Sequence, residues 1–205
     1  MWAKIYYYFD VGGWCMWGIA LCSVLALAVF LERLFALHKE IVLPRSLAIE
    51  VQDLVRRGLI AEAVTLCRKK ESPLGRVIQV GLENAGKLRE RIKELVNEVG
   101  QREASHLGRY MAILNTTISV APMLGFLGTV IGMVDLFTSV AAVGEVTNIG
   151  MIADGIYKAL YTTVFGLVVA IPATLFYRFL SARVESLVLE MEEVSFKIVD
   201  LIKNE

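Results

Sequence analysis

Three of the threonine hydroxyls inside long uncharged stretches of this sequence accompany small residues, and a polar group in such a stretch is costly and therefore informative. Thr129 lies within residues 110–134, which contain no Asp, Glu, Lys, Arg or His. Thr162 and Thr163 lie within residues 159–177, which are equally free of charge. A hydroxyl in such a place either bonds to the carbonyl four residues before it or helps to line a polar path. The chemistry open to these residues is hydrogen bonding.

Small residues accompany the threonines at a spacing of three or four positions. The two stripes are formed by Ala121, Gly125, Gly128, Thr129 and Gly132, and by Ala159, Thr163, Gly166, Ala170 and Ala173. Residues at this spacing share one face of a helix, and small faces let helices approach closely. The stripes are typical either of packing seams or of the walls of a pathway. The sequence leaves both interpretations open with similar weight.

No carboxylate, histidine, lysine or arginine lies in the middle of any apolar stretch. Glu32, Asp135 and Lys158 stand near the predicted ends. A proton relay through a membrane needs a titratable group. If this chain conducts protons, we therefore expect the carboxylate to come from another subunit.

Composition excludes several classes of protein. The chain has 205 residues, of which 56% are hydrophobic, and zero formal net charge. This is too apolar for an ordinary soluble domain, and no basic field indicates nucleic acid. The three cysteines form no C-x-x-C pair, and two histidines are too few for a His-rich metal site. We see no nucleophile–base set or phosphate loop, so the sequence favours neither an enzyme nor a cofactor.

Three uncharged stretches are long enough to cross a bilayer as helices. We predict an all-α membrane protein whose long helices extend into a cytoplasmic helical domain. The predicted segments are an N-terminal interfacial or periplasmic segment (1–10), the first span (11–36), the cytoplasmic domain (37–109), the second span (110–143), a periplasmic loop (144–157), the third span (158–178) and a cytoplasmic C-terminal helix (179–205).

The distribution of positive charge predicts the orientation. Lys and Arg concentrate in residues 38–109 and from Arg178 onwards, whereas residues 144–157 contain none. The positive-inside rule places the first two regions in the cytoplasm. Three spans then put the N-terminus outside and the C-terminus inside.

Helix signals divide the polar domain. We expect Ser46 to cap a helix that ends near Gly58, and a second helix over residues 60–70. Ser72 followed by Pro73 is typical of a cap and first-turn proline. A further helix over residues 87–108 is expected to run into the second span without a break.

The C-terminal helix has an apolar residue at every third or fourth position. These residues are Val184, Leu187, Met191, Val194, Ile198 and Leu201. The spacing predicts a bundle or a short coiled coil.

Two motifs resemble the ExbB/TolQ/MotA proton-channel family. They are A-P-M-L-G-F-L-G-T-V-I-G-M at residues 121–133 and G-I-Y-K-A-L-Y-T-T-V-F-G-L-V-V-A-I-P-A at residues 155–173, with L-E-R-L at residues 31–34 as a weaker match. Three spans in a chain of this length resemble ExbB or TolQ more than MotA.

The resemblance implies a multi-pass protein of the bacterial inner membrane that forms a ring, thought to be a pentamer. The ring would surround the spans of an ExbD- or TolR-like partner, whose intramembrane Asp supplies the missing carboxylate. Proton flow would then energise a TonB- or TolA-like protein. By motif position, Thr129 and Thr163 match the family's pore threonines, and Thr162 adjoins them.

One position departs from the family pattern, because many members have Glu where this chain has Lys158. We therefore assign Lys158 no acid role at the outer entry. It either snorkels to the interface or pairs with a partner's carboxylate. A different class of function also stays open, namely a non-conducting membrane scaffold whose 38–109 domain docks cytoplasmic proteins.

Overall fold

The computed structural model describes residues 2–143 and 149–202, which form helices joined by short turns. The helices are α1 (Trp2–Ala36), α2 (Lys39–Val42), α3 (Arg45–Arg56), α4 (Ile60–Lys69), α5 (Pro73–Glu83), α6 (Arg89–Leu107), α7 (Met111–Val143) and α8 (Ile149–Ile202). The described residues include no strand. The predicted all-α class is therefore confirmed.

Three helical segments are long and apolar enough to cross a membrane. They are Gly13–Ala36, Met111–Ala142 and Ile152–Leu201. Large apolar side chains are exposed along them, including Phe126 at 66% and Ile171 at 61%. Such surfaces are costly in water and are typical of contact with lipid or with other chains. The three predicted transmembrane helices are thus confirmed.

The first and third predicted spans are parts of longer helices. α1 begins at Trp2, is interrupted at Gly13 (φ 57°) and continues to Ala36; this positive φ suits glycine, which has no Cβ. The aromatic side chains predicted to lie at the interface within residues 1–10 are outside the described part of the chain. α8 begins at Ile149. Residues 144–148 of the predicted loop also lie outside the described part of the chain.

The chain divides into two compact units. The first comprises Met1–Leu31 and Tyr110–Arg178, and the second comprises Glu32–Arg109 and Phe179–Glu205. α1 and α8 therefore contribute residues to both units. The C-terminal part of α8 belongs to the same unit as the polar domain.

In the first unit, α1 packs against both other spans. A Cβ added to Gly18 of α1 would lie 3.0 Å from Leu124 Cδ1 of α7. The rings of Phe30 in α1 and Phe176 in α8 are stacked, with centroids 4.0 Å apart. The contact between α7 and α8 is described below.

In the second unit, α5 is capped as predicted and α3 is not. The Ser72 hydroxyl accepts a hydrogen bond from the Gly75 N–H at 3.0 Å, and Pro73 begins the helix. The expected Ser46 cap is wrong, because the N-cap of α3 is Pro44, two residues earlier, and the helix begins at Arg45. The Ser46 hydroxyl instead accepts a hydrogen bond from Lys70 Nζ at 3.1 Å.

The C-terminal part of α8 packs within this second unit, as its spacing predicted. Leu187, Met191 and Ile198 are at most 1% exposed. A Cβ added to Gly81 of α5 would lie 3.1 Å from Val199 Cγ2 of α8. The predicted bundle is confirmed.

The expected continuous helix from the polar domain into the second span is wrong. α6 ends at Leu107, and α7 begins at Met111 after a turn. Tyr110 has a φ of 68°. A residue in this left-handed region cannot continue a right-handed helix, so the turn separates the two elements.

Candidate functional site

The seam between α7 and α8 is built from glycines that allow the two backbones to touch. A Cβ added to Gly166 would lie 2.6 Å from the Ala121 carbonyl oxygen. One added to Gly125 would lie 2.8 Å from the Thr162 carbonyl oxygen and 3.0 Å from Thr163 Cα. These distances are shorter than any ordinary contact of a Cβ atom. Only glycine at these positions permits so close an approach.

A cluster of three hydroxyls lies in this seam, formed by Thr129, Thr162 and Thr163 (the threonine cluster). The Thr129 and Thr163 hydroxyl oxygens are 2.5 Å apart, and either atom could be the donor. The Thr129 and Thr162 hydroxyl oxygens are 3.5 Å apart. The structure thus brings together the three threonines that the sequence singled out.

Two backbone carbonyls complete the cluster. The Gly125 carbonyl lies within 2.9 Å of the Thr162 hydroxyl, 3.1 Å of the Thr163 hydroxyl and 3.2 Å of the Thr129 hydroxyl. The Ala159 carbonyl lies 2.8 Å from the Thr162 hydroxyl and 3.1 Å from the Thr129 hydroxyl. The bond from Thr129 to the carbonyl four residues before it is one of the two roles that the sequence left open, whereas the bonds that cross between α7 and α8 were not predicted.

Burial distinguishes the three hydroxyl-bearing residues. Thr162 is only 2% exposed, whereas Thr129 and Thr163 are half-buried. Thr162 is therefore the inner member of the cluster, and the other two form its accessible edge. The stripe predicted from the sequence included Thr163 but not Thr162, which is more buried.

The small residues of both stripes pack α7 against α8 or lie buried beside that contact. Gly132 is half-buried, and a Cβ there would lie 3.0 Å from Ala159 Cβ. The buried members are Ala121, Gly125, Gly128, Ala159, Gly166, Ala170 and Ala173. The structure therefore uses both stripes inside a single chain. That any of them also faces a pathway stays a prediction.

Lys158 lies one and a half turns before Thr163 and forms an ion pair on its own helix. Its Nζ is 2.6 Å from the Asp154 carboxylate, in an i,i+4 arrangement with both side chains partly exposed. The neighbouring Tyr157 and Tyr161 hydroxyls are 2.6 Å apart. A cation so paired has much of its local charge balanced. The described residues contain no group of His, Cys, Asp and Glu suited to a metal ion.

Three apolar spans, two of which enclose a hydroxyl cluster, define a multi-pass membrane protein with a polar site between its spans. Residues 69–193 match the MotA/TolQ/ExbB proton channel family, and the chain belongs to that family. This agrees with the resemblance found in the two motifs.

Relatives named ExbB point the same way. The chain is 30% identical over 179 residues to a biopolymer transport protein ExbB homolog of Methanothermobacter thermautotrophicus, covering 86% of this chain and 63% of the relative. It is 28% identical over 199 residues to the biopolymer transport protein ExbB of Pseudomonas putida, covering 93% and 59% respectively. A third relative, ExbB of Aquifex aeolicus, is 34% identical over 57% of this chain and 78% of its own length. The chain thus spans about six tenths of the length of the first two relatives.

Proposed function

We propose that this chain is the channel and stator subunit of a motor complex that uses a proton gradient. The observation that carries the proposal is a hydroxyl cluster between two spans, with no Asp or Glu within residues 110–134 or 159–177. Threonine hydroxyls can form hydrogen bonds to a proton-carrying group and position it, but they do not themselves titrate near neutral pH. Membership of the proton channel family supports this assignment over an enzymatic one.

The partner in this proposal is an ExbD- or TolR-like single-span protein with an aspartate in its helix. That carboxylate would meet the accessible edge of the threonine cluster, at Thr129 and Thr163. Proton flow through the site would then energise a TonB- or TolA-like protein. The names of the relatives favour biopolymer transport of the ExbB type.

The assembly in this proposal is a homo-oligomer, a pentamer by family resemblance, in the bacterial inner membrane. Exposed apolar side chains on both α7 and α8 offer surface for neighbouring copies as well as for lipid. The N-terminus would lie outside and the C-terminus in the cytoplasm, since positive charge avoids residues 144–157. The Lys158–Asp154 pair would then stand near the outer entry.

Reconstitution with the partner tests the proposal. Proton flux into liposomes is expected for the complex and not for either protein alone. Thr129→Val and Thr163→Val should each lower the flux while the complex still assembles, because valine keeps the shape and removes the hydroxyl. Thr174→Val is the matched control, because among the described residues the Thr174 hydroxyl bonds only to the carbonyl of Ala170, at 2.8 Å, on its own helix.

A scaffold that docks cytoplasmic proteins is the second candidate. A shallow groove of about 600 Å³ between α3 and α4 favours it, lined by Glu50, Asp53, Leu54, Ala61, Glu62, Thr65, Leu66 and Lys69. An assembled complex that conducts no protons would support the scaffold. Full flux in both valine variants would refute the pore role of the threonines.

A further inference from the structure

The connection between α5 and α6 presents an apolar side chain to solvent. Leu88 is 75% exposed, more than any other large apolar residue of the described chain. It lies in the second unit, directly before α6, and residues 86–91 around it are all exposed. One exposed leucine alone needs no explanation. The charges around this one give it a possible partner surface.

The neighbours of Leu88 are mostly cations. Lys87 precedes it, Arg89 follows it, and Arg91 lies three residues further along. This exposed stretch thus carries three cations and one carboxylate, that of Glu90. Lys87, Leu88, Arg89 and Arg91 together form the basic tip. The basic tip combines an apolar side chain with an excess of positive charge.

The groove between α3 and α4 has the opposite charge. Its lining includes three apolar residues, namely Leu54, Ala61 and Leu66. Its charged lining residues are Glu50, Asp53, Glu62 and Lys69. The groove therefore combines an apolar lining with three carboxylates and one cation. Its three carboxylate side chains are exposed, whereas the two leucines are half-buried.

Several of these charges already have partners on their own chain. The pairs are Glu50–Lys70, Asp53–Arg57, Arg91–Glu94 and Arg89–Asp200. Every side chain in these pairs is at least 34% exposed. Exposed pairs contribute little to stability, so their members can exchange partners at small cost. Glu62 and Lys87 belong to none of these four pairs and are the best positions for a test.

We propose that the basic tip of one copy of this chain docks in the α3–α4 groove of a second copy. Leu88 enters the apolar lining beside Ala61, and the cations of the tip meet the carboxylates of the groove. The occupant is assigned from charge complementarity between two surfaces of the same unit. The proposal rests on the proposed function, in which the chain forms a homo-oligomer, and it names a contact between copies outside the membrane spans.

The contact is head-to-tail, because the basic tip and the groove are different surfaces of one chain. Each copy uses its tip towards one neighbour and its groove towards the other. A contact of this kind repeats from copy to copy and generates a closed ring or an open filament. Copies within one membrane share their orientation, which favours closure about an axis along the membrane normal. The contact thus agrees with a ring.

Cross-linking with a short bis-maleimide tests the contact in membranes that contain the whole chain. Two differently tagged copies are coexpressed, one with Ala61→Cys and the other with Leu88→Cys. We expect a cross-linked dimer that carries both tags. A chain with both cysteines should give a ladder of larger products. The chain without added cysteines is the baseline, since the native Cys15 and Cys67 are each 2% exposed.

Matched cysteines control for random collision. Gln101→Cys replaces Leu88→Cys in the control, because Gln101 is exposed on α6 but lies 13 residues, or about 20 Å, from Leu88. With Ala61→Cys it should give no product above the baseline. Thr65→Cys is the second groove position, because Thr65 also lines the groove and is exposed.

Charge reversal tests the electrostatic part of the contact. Lys87→Glu in the Leu88→Cys copy should lower the yield of the mixed dimer by about two- to fivefold. Glu62→Lys in the Ala61→Cys copy should lower it by a similar factor. Both reversals together should restore the original yield, because the two charges are then exchanged. Two reversals that lower the yield further would contradict this pairing.

Each outcome bears on one claim. Absence of the mixed dimer at both groove positions overturns the docking, and so does an equal yield of dimers between two Leu88→Cys copies. Cross-linking of Ala61→Cys to a different protein also overturns it and favours the scaffold. Light scattering of the unmodified chain is measured separately. An oligomer without the mixed dimer refutes only the docking, whereas a monomer refutes the homo-oligomer of the proposed function.

Discussion

A methyl group at Gly166 is expected to open the seam between α7 and α8. The added Cβ of Gly166→Ala would lie 2.6 Å from the Ala121 carbonyl oxygen and 3.2 Å from Gly125 Cα. Both neighbours are backbone atoms, so no side chain can rotate away. Ordinary contact begins at 3.4 Å, and the helices must therefore separate by about 0.8 Å.

The separation should also weaken the threonine cluster. An increase of about 0.8 Å would take the Thr129–Thr163 distance from 2.5 Å beyond the usual range for O–H···O bonds. Strain in a tightly packed site costs about 1–3 kcal/mol. Each hydrogen bond between membrane helices adds about 0.6 kcal/mol. We expect Gly166→Ala to lower the free energy of unfolding by about 2–4 kcal/mol.

A thiol-reactive fluorescent dye can follow thermal unfolding through Cys15. This residue is 2% exposed and lies in the same unit as the seam. Replacing Cys22 and Cys67 by alanine leaves it as the single reporter, because the chain has three cysteines. Gly18→Ala is the matched control, since the three atoms nearest to its Cβ would belong to the Leu124 side chain, the first at 3.0 Å, and that side chain can move.

The expected result is a clearly lower Tm for Gly166→Ala than for Gly18→Ala in detergent-solubilised protein. Loss of the threonine-dependent proton flux should accompany it. Equal Tm values for the two alanine variants would refute the reasoning, since α7 and α8 would then not approach as closely as the distances require.

Three further predictions concern the second unit. Burial raises the pKa of the Cys67 thiol to about 11. The thiol of the unfolded chain ionises at about pH 8.5, so the free energy of unfolding should fall as pH rises between these values. Cys67→Ala should remove that slope in denaturant titrations. Ser72→Ala should lower the free energy of unfolding by about 1 kcal/mol, because the N–H of Gly75 loses its acceptor, and circular dichroism melts check this. Glu103→Gln should lower the free energy of unfolding by about 1–3 kcal/mol in the same melts. The Glu103 side chain is 8% exposed and accepts two hydrogen bonds from Arg76. An unchanged melt would contradict this.

The sequence was sufficient for elements whose signal is local. The spans could be predicted because a charged side chain within the bilayer is costly, so their charge-free lengths stand out. Ser72 and Pro73 likewise predicted the start of α5 from two adjacent residues. The break at residues 108–110 had one local signal that was not used, because Gly108 is the C-cap of α6 and glycine is common at helix ends. The positive φ of Tyr110 could not be predicted, because it is not a preference of tyrosine.

Only part of the site could be predicted from the sequence, for a related reason. Spacing identifies the residues that share a helix face, but it does not say which neighbour covers that face. The spacing in α7 did not show that Thr162 and Gly166 of α8 lie against the stripe. The hydrogen bonds that the Gly125 and Ala159 carbonyls accept from the opposite helix cannot be predicted from either sequence pattern. Their part in the cluster required coordinates.

Packing and pathway need not be alternatives for these stripes, because the close packing is what creates the polar site. The Gly125 carbonyl can accept hydroxyls from α8 only because Gly125 and Gly166 let the backbones touch. Gly125→Ala should therefore impair proton flux although it removes no hydroxyl, since its Cβ would lie 2.8 Å from the Thr162 carbonyl oxygen. Thr174→Val, which removes a hydroxyl outside the seam, should not. If Gly125→Ala conducts like the wild type, the threonine cluster functions without its α7 carbonyl, and the close approach of the helices serves stability alone.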